Sequence, residues 1–136
     1  MNLFTKKSGA ETLIKKKLLI VDDESSILGL LKTYLQENGY EVFTASQSSK
    51  AMEIIQSKSP DMAILDIMLA DENGLELLAE IKEFNPDIPV LIMTSMGYEE
   101  DLLQEAKRKG ANSYISKHLP LDQLLMEIHR QLKFKK

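Results

Sequence analysis

Five polar residues in this sequence lie at the ends of four short segments that predict strands. They are Asp22 and Asp23, Asp66, Thr94 and Lys117. Apolar runs of four or five residues between turn-forming residues are typical of buried strands in a parallel sheet. Because parallel strands finish at the same edge of a sheet, we expect these side chains to converge there. The sequence therefore predicts one site that contains carboxylates, a hydroxyl and an ammonium group.

The three aspartates of this site favour a bound cation. Carboxylates crowded together repel one another, and the pKa of at least one of them rises unless a cation neutralises them. The chain has no cysteine, so its metal ligands would be oxygens or its two histidines. An all-oxygen set suits a hard divalent ion, and Mg²⁺ is the leading candidate because it accepts one or two carboxylates and keeps waters.

The same residues also fit the chemistry of an aspartyl phosphate. An aspartate can attack phosphorus and form an acyl phosphate, and phosphoryl transfer then needs charge stabilisation on the phosphoryl oxygens. A metal, the Lys117 ammonium and the Thr94 hydroxyl with a loop amide would each cover one oxygen. Taken singly, each residue also fits a helix cap or a surface charge. Their occurrence together at strand ends favours the phosphoryl site.

Alternating strands and helices position these residues. The strands are predicted at Lys17–Val21, Tyr40–Ala45, Met62–Asp66, Ile88–Met93 and Asn112–Ser116. The helices are predicted from Ser25 to Asn38, Ser48 to Lys58, Leu75 to Phe84, Tyr98 to Lys109 and Leu121 to Lys133. Five strands alternating with five helices predict a doubly wound α/β fold, with a parallel sheet between two helical layers.

Length and composition limit the function classes. With 136 residues and a net charge of -4, the chain predicts one domain without direct nucleic-acid binding. No apolar run approaches the roughly 20 residues of a membrane span, so we expect a cytoplasmic protein without membrane insertion. Residues 1–16 lack sustained periodicity and predict a mobile tail, which leaves residues 17–136 as the domain.

The sequence resembles the receiver domain of bacterial two-component response regulators over residues 17–133. The matching segments are Leu19–Glu24, Leu65–Leu69 followed by Asn73-Gly74, Ile92–Ser95 and Gly110–Lys117. The segment Thr94–Tyr98 with Gln104–Ala106 is also similar to single-domain relay receivers of sporulation pathways. The resemblance implies the flavodoxin-like strand order 2-1-3-4-5.

The resemblance assigns a role to each residue of the site. Asp66 would accept the phosphoryl group from a sensor histidine kinase or a histidine phosphotransfer protein. The residues implied to bind Mg²⁺ are Asp22, Asp23, Asp66 and Met68, the last through its backbone carbonyl, and those implied to contact the phosphoryl group are Thr94, Ser95 and Lys117.

The resemblance also implies a conformational switch. Thr94 would move inward on phosphorylation and Tyr114 would follow, although permanent packing of Tyr114 is the alternative. The surface of the fourth helix, fifth strand and fifth helix would then bind a downstream protein. Met68 and Met96 flank the path of the hydrolytic water in this family. Because a thioether orients water poorly by hydrogen bonding, we expect slow self-dephosphorylation.

Two residues depart from the family pattern. His118 follows Lys117 where most receivers have a proline after a cis bond, and since a non-proline cis bond costs about 2.5–4 kcal/mol, we expect a trans bond here. Ala70 replaces a customary proline, which should loosen the loop after Asp66.

These features leave several functions open. The leading hypothesis is a stand-alone phosphoryl-accepting switch or relay, which catalyses only its own phosphorylation and dephosphorylation. The alternatives are a receiver from a longer DNA-binding or enzymatic regulator, and a pseudo-receiver that binds partners without phosphorylation. A metal-dependent phosphatase is disfavoured because Met68 stands where its second aspartate would be.

Overall fold

The computed structural model describes residues 14–69, 72–95 and 100–133. Its strands are β1 (Lys17–Val21), β2 (Glu41–Ala45), β3 (Met62–Asp66), β4 (Val90–Thr94) and β5 (Ser113–Ser116). Its helices are α1 (Ser25–Glu37), α2 (Ser48–Lys58), α3 (Gly74–Phe84), α4 (Glu100–Arg108) and α5 (Leu121–Lys133). Strands and helices therefore alternate along the chain as predicted.

The five strands form one parallel sheet in the order β2-β1-β3-β4-β5. This order is the predicted 2-1-3-4-5. In the register of the sheet, Val21 lies opposite Leu65, and Asp66 lies opposite Met93. Thr94 lies opposite Ser116 on the next strand. The carboxyl ends of these four strands therefore meet at one edge of the sheet.

Helices cover both faces of the sheet, which confirms the three predicted layers. Successive strand residues point to opposite faces. One core joins the sheet to α2, α3 and α4, and its members include Leu19, Leu65, Ile55, Leu78 and Ala106. The second core joins the sheet to α1 and α5, and its members include Ile20, Ile64, Leu35, Leu124 and Ile128. Because both faces are covered, the central strands β1, β3 and β4 are mainly apolar and buried, whereas the edge strands β2 and β5 contain polar, partly exposed residues.

Three predicted strand starts were too early, those of β2, β4 and β5, the last of which begins at Ser113 rather than Asn112. The backbone N–H of Tyr40 donates to Leu35 O at 3.1 Å, so it still belongs to the end of α1, and β2 begins at Glu41. The N–H of Ile88 donates to Asn85 O in the turn after α3. Proline has no N–H to pair, and β4 accordingly begins at Val90, after Pro89.

Two short antiparallel strands after Asp66 were not predicted. Met68–Leu69 pairs with Glu72–Asn73. The carboxylate Oε1 of Glu72 accepts a hydrogen bond of 2.8 Å from the N–H of Ser48, at the start of α2. This bond ties the segment after Asp66 to a neighbouring helix. Ala70 lies outside the described residues, so its predicted effect on the loop stays a prediction.

The described part of the chain begins shortly before β1. β1 begins at Lys17, the first residue of the predicted domain. Most of the predicted tail, residues 1–13, lies outside the described residues. Among the residues that the structure describes, no helix is both long and apolar enough to span a membrane.

Gly74 permits a close approach of α3 to the strand that carries Asp66. Its N–H donates to Ile67 O at 3.0 Å. A Cβ at this position would overlap the backbone oxygen of Asp66 and would lie 2.8 Å from the Cα of Ile67. These neighbours are backbone atoms, which cannot rotate away.

Gly74→Ala should therefore destabilise the protein by about 1–3 kcal/mol, the usual cost of overpacking. The matched control is Gly29→Ala in the exposed middle of α1, where an added Cβ meets nothing within 4 Å. That substitution should stabilise the protein by about 0.5–1 kcal/mol because alanine is the better helix former. Urea unfolding of both variants measures the difference, and equal effects would contradict the role of Gly74.

Candidate functional site

Three aspartates converge at the carboxyl edge of the sheet, as predicted. Asp22 directly follows β1, is fully buried, and its N–H donates to Ala45 O at 3.1 Å. Asp66 is the last residue of β3 and is also buried, whereas Asp23 is exposed. Carboxylate oxygens of the three residues lie within 4.8 Å of one another. Residues that are 44 positions apart in sequence thus form one acidic cluster.

The ammonium group of Lys117 lies among these carboxylates. Its Nζ is 2.8 Å from Asp22 Oδ2 and 2.9 Å from Asp66 Oδ2. A third carboxylate oxygen, Oε1 of Glu24, lies 2.7 Å from the same nitrogen. The side chain of Lys117 is only 7% exposed. Lys117 therefore reaches the predicted site despite the departure from the family pattern at position 118.

Backbone contacts fix the position of Lys117. Its N–H donates to Thr94 O at 2.8 Å, which continues the pairing between β4 and β5 by one residue. The N–H of His118 donates to Ser116 Oγ at 3.0 Å. The described residues contain no cis peptide bond, so the bond between Lys117 and His118 is trans, as predicted.

The hydroxyl residues lie at the same edge. Thr94 is the last residue of β4 and is buried, and Ser95 follows it with an exposed side chain. Tyr114 lies on β5 opposite Ile92 and is partly buried against the core beneath α2, α3 and α4. The switching role of Tyr114 stays a prediction.

The two oxygens of the Asp66 carboxylate have different partners. Oδ1 accepts a hydrogen bond of 3.0 Å from the N–H of Met68, and Oδ2 faces Lys117. The carboxylate is therefore held at both ends. The side chain of Met68 is 56% exposed. Met96, the other methionine predicted to influence water access, lies outside the described residues.

Burial and charge shift the ionisation of the cluster. Burial raises the pKa of Asp22, and repulsion from Asp66 adds to the rise, while hydrogen bonds from Lys117 and the N–H of Glu24 oppose it. Burial lowers the pKa of Lys117, but its hydrogen bonds with Asp22, Glu24 and Asp66 outweigh burial and raise it overall.

Comparisons with known proteins identify the family. The sequence model of the response regulator receiver domain matches residues 18–129. The chain belongs to the response regulator receiver family. Sporulation initiation phosphotransferase F of Bacillus subtilis is 32% identical over 123 residues, which cover 90% of this chain and 98% of that protein. The transcriptional regulatory protein ZraR of Klebsiella oxytoca is 39% identical over 115 residues, which cover 85% of this chain and 26% of that protein.

A solved structure supports the same assignment. The response regulator receiver domain protein (CheY-like) of Methanospirillum hungatei JF-1 matches with a TM-score of 0.86 and 30% identity, over 90% of this chain and 97% of that one. Receiver domains are signalling modules of two-component systems. They interact with histidine kinases and phosphotransfer proteins, and they bind Mg²⁺ through an aspartate cluster.

The donor set of this receiver domain fits Mg²⁺. The carboxylates of Asp22, Glu24 and Asp66 pair with the one ammonium group of Lys117, and an Asp23 carboxylate oxygen lies within 4.8 Å of those of Asp22 and Asp66. One positive charge does not balance four negative ones, and the three aspartates supply the hard oxygen ligands that Mg²⁺ prefers. Lys117 alone does not neutralise the carboxylates, and a bound divalent cation would supply the missing positive charge.

Glu24 is the residue of this receiver site that the sequence analysis did not assign. An acidic residue at the start of a helix also interacts favourably with the helix N-terminus, so the position of Glu24 beside two aspartates does not single it out. The side chain makes no capping hydrogen bond to that helix. It pairs instead with Lys117, 93 residues away, and no local pattern signals a contact over that separation.

Asp22→Asn should raise the thermal midpoint of this receiver domain at pH 7 without Mg²⁺. The pKa of Asp22 is higher in the folded state than its unfolded value of 3.8, so the protonated group favours folding. This contribution to stability is complete below pH 3.8 and is lost as the pH rises through the folded-state pKa. At pH 7 the ionised group therefore opposes folding, and an uncharged amide removes that penalty. Calorimetric midpoints measure the effect, with the exposed Asp87→Asn as the control, and a lower midpoint for Asp22→Asn alone would contradict the prediction.

Proposed function

We propose that this receiver domain accepts a phosphoryl group on Asp66 from a sensor histidine kinase or a histidine phosphotransfer protein. The observation that carries the proposal is the environment of Asp66. Its carboxylate is buried, is held by Lys117 and the N–H of Met68, and lies within the acidic cluster. A buried carboxylate fixed in this way is a preorganised nucleophile rather than a surface charge.

In the proposed transfer, Asp66 is the nucleophile. A carboxylate oxygen of Asp66 attacks the phosphorus of a phosphohistidine, and the phosphorus–nitrogen bond breaks as the imidazole nitrogen keeps its electron pair. Asp22, Asp23, Asp66 and the backbone carbonyl of Met68 would hold Mg²⁺. When bound, the ion supplies positive charge that neutralises the transferring phosphoryl oxygens.

Three further residues stabilise the phosphoryl group in this proposal. Lys117 already lies 2.9 Å from Asp66 Oδ2, so its ammonium can pair with a phosphoryl oxygen attached there. The hydroxyl of Thr94 and the adjacent residue Ser95 lie at the end of the neighbouring strand. Hydrogen bonds to charged groups are stronger than those between neutral groups, which favours these contacts in the phosphorylated state.

In this proposal, the surface formed by α4, β5 and α5 binds a downstream protein. Thr94 and Tyr114 connect the site to this surface, since Thr94 ends β4 and Tyr114 lies on the adjacent β5. Movement of Thr94 toward the phosphoryl group would draw Tyr114 inward and alter the surface for a downstream protein. The negative net charge of -4 favours a protein partner over nucleic acid.

The chain can perform this reaction alone or as part of a longer regulator. It spans 98% of the sporulation phosphotransferase, which supports a relay role. It spans only 26% of ZraR and 43% of the regulatory protein PhoP of Bacillus subtilis, which supports a receiver attached to an output domain. In both cases phosphorylation of Asp66 would be the controlling event.

Asp66→Asn should abolish phosphorylation because an amide cannot form the acyl phosphate. After incubation with acetyl phosphate and Mg²⁺, intact mass should show a gain of one phosphoryl group in the wild type and none in the variant. The matched control, Asp87→Asn, changes an exposed aspartate near the other end of the sheet and should be phosphorylated normally. If the folded wild type gains no phosphoryl group, the domain is a phosphorylation-independent binding module.

Met68→Asn should shorten the lifetime of the phosphorylated state. The amide can orient an attacking water by hydrogen bonding, whereas the exposed thioether of Met68 orients it poorly. The rate of phosphoryl loss after removal of the donor measures this effect. Met126→Asn on α5, where the methionine is 68% exposed, is the control and should leave the rate unchanged. A wild-type lifetime as short as that of fast chemotaxis receivers would contradict the role of Met68.

A further inference from the structure

Lys117 has one carboxylate partner that is not a proposed metal ligand. Two of its partners, Asp22 and Asp66, belong to the aspartate cluster. The third, Glu24, lies closest to the ammonium nitrogen, at 2.7 Å, and its side chain is 57% exposed. The ammonium group therefore pairs both with two buried carboxylates and with one largely exposed carboxylate.

Lys117 competes with any cation for the carboxylates of Asp22 and Asp66. Like charges repel, so Lys117 has to give up these two partners before they can bind a divalent ion. A buried ammonium without any partner is strongly unfavourable. Because the side chain of Lys117 is 7% exposed, its displacement requires another carboxylate within reach. Glu24 is the remaining carboxylate among the ion-pair partners of Lys117 in the described part of the chain.

The backbone of Glu24 is fixed by hydrogen bonds, whereas its side chain is largely exposed. Its N–H donates to Asp22 Oδ1 at 2.9 Å, and its carbonyl oxygen accepts from the N–H of Leu28 at 3.1 Å. The side chain makes no capping bond to α1. Glu24 can therefore follow the ammonium outward without disturbing the helix or the adjacent aspartates.

We propose that Glu24 is a positioning residue that holds Lys117 away from Asp22 and Asp66 when these carboxylates bind a divalent cation. Through this contact Glu24 strengthens Mg²⁺ binding, although it does not ligate the ion. The inference rests on the magnesium site of the proposed function. It adds a fourth acidic residue, which acts through the lysine.

The test is a double-mutant cycle of Mg²⁺ affinity, measured by isothermal titration calorimetry. The four proteins are the wild type, Glu24→Gln, Lys117→Met and the double variant. Glu24→Gln should weaken Mg²⁺ binding by about 2- to 5-fold, the range of an exposed ion pair. Lys117→Met should strengthen binding because it removes the competing ammonium. In the Lys117→Met background, Glu24→Gln should have clearly less effect than in the wild type.

Controls separate the role of Glu24 from general electrostatics and from misfolding. Glu53→Gln makes the same change in net charge on α2, away from the site, and should leave Mg²⁺ affinity unchanged. Thermal unfolding confirms that each variant is folded, and Lys117→Gln replaces Lys117→Met in the cycle if the methionine variant does not fold.

The outcomes distinguish this inference from the proposed function. Equal weakening by Glu24→Gln in both backgrounds would mean that Glu24 acts only through its charge on the ion, and would overturn the inference alone. Absence of Mg²⁺ binding by the folded wild type would overturn the magnesium site and the inference together. A larger effect in the wild-type background than in the lysine variant supports the role of Glu24.

Discussion

The charge imbalance between one ammonium group and four carboxylates is the main electrostatic feature of the site. Lys117 contacts Asp22, Glu24 and Asp66 at 2.7–2.9 Å, and Asp23 adds a further negative charge nearby. A buried ion pair contributes little net stability because desolvation offsets much of the attraction. The excess negative charge makes the cluster costlier still. Such a cluster adds little to the stability of the fold. Its carboxylates suit a cation, and its ammonium group suits an anionic group.

The parallel sheet maintains this unfavourable arrangement. Asp22, Asp66 and Lys117, the buried side chains of the cluster, lie at the carboxyl ends of β1, β3 and β5. Between β1 and β5 the sheet consists of β3 and β4, whose apolar residues are buried on both faces. The N–H of Lys117 donates to Thr94 O, so the lysine is positioned by backbone pairing and not by its charge alone. Burial of the strands therefore offsets the repulsion among the carboxylates.

The limits of sequence analysis follow from the range of each interaction. Asp22, Asp66 and Lys117 were predictable because each lies at the carboxyl end of a strand that the local sequence predicts, and the shared edge follows from parallel topology. Glu24 was not assigned because its partner is 93 residues away and depends on a side-chain position. The early predicted starts of β2 and β4 have local causes, since hydrophobicity alone does not reveal which N–H groups a turn already uses.

The segment after Asp66 extends the influence of the site beyond the cluster. The N–H of Met68 donates to Asp66 Oδ1, and Met68 pairs with Asn73 in the short antiparallel strands. From the same strands, Glu72 accepts the N–H of Ser48 at the start of α2. The Asp66 carboxylate is thus connected to α2 through a short series of hydrogen bonds and paired residues. A group attached to Asp66 would compete for the N–H of Met68. A shift of Met68 would then act on the two short strands and, through Glu72, on the start of α2.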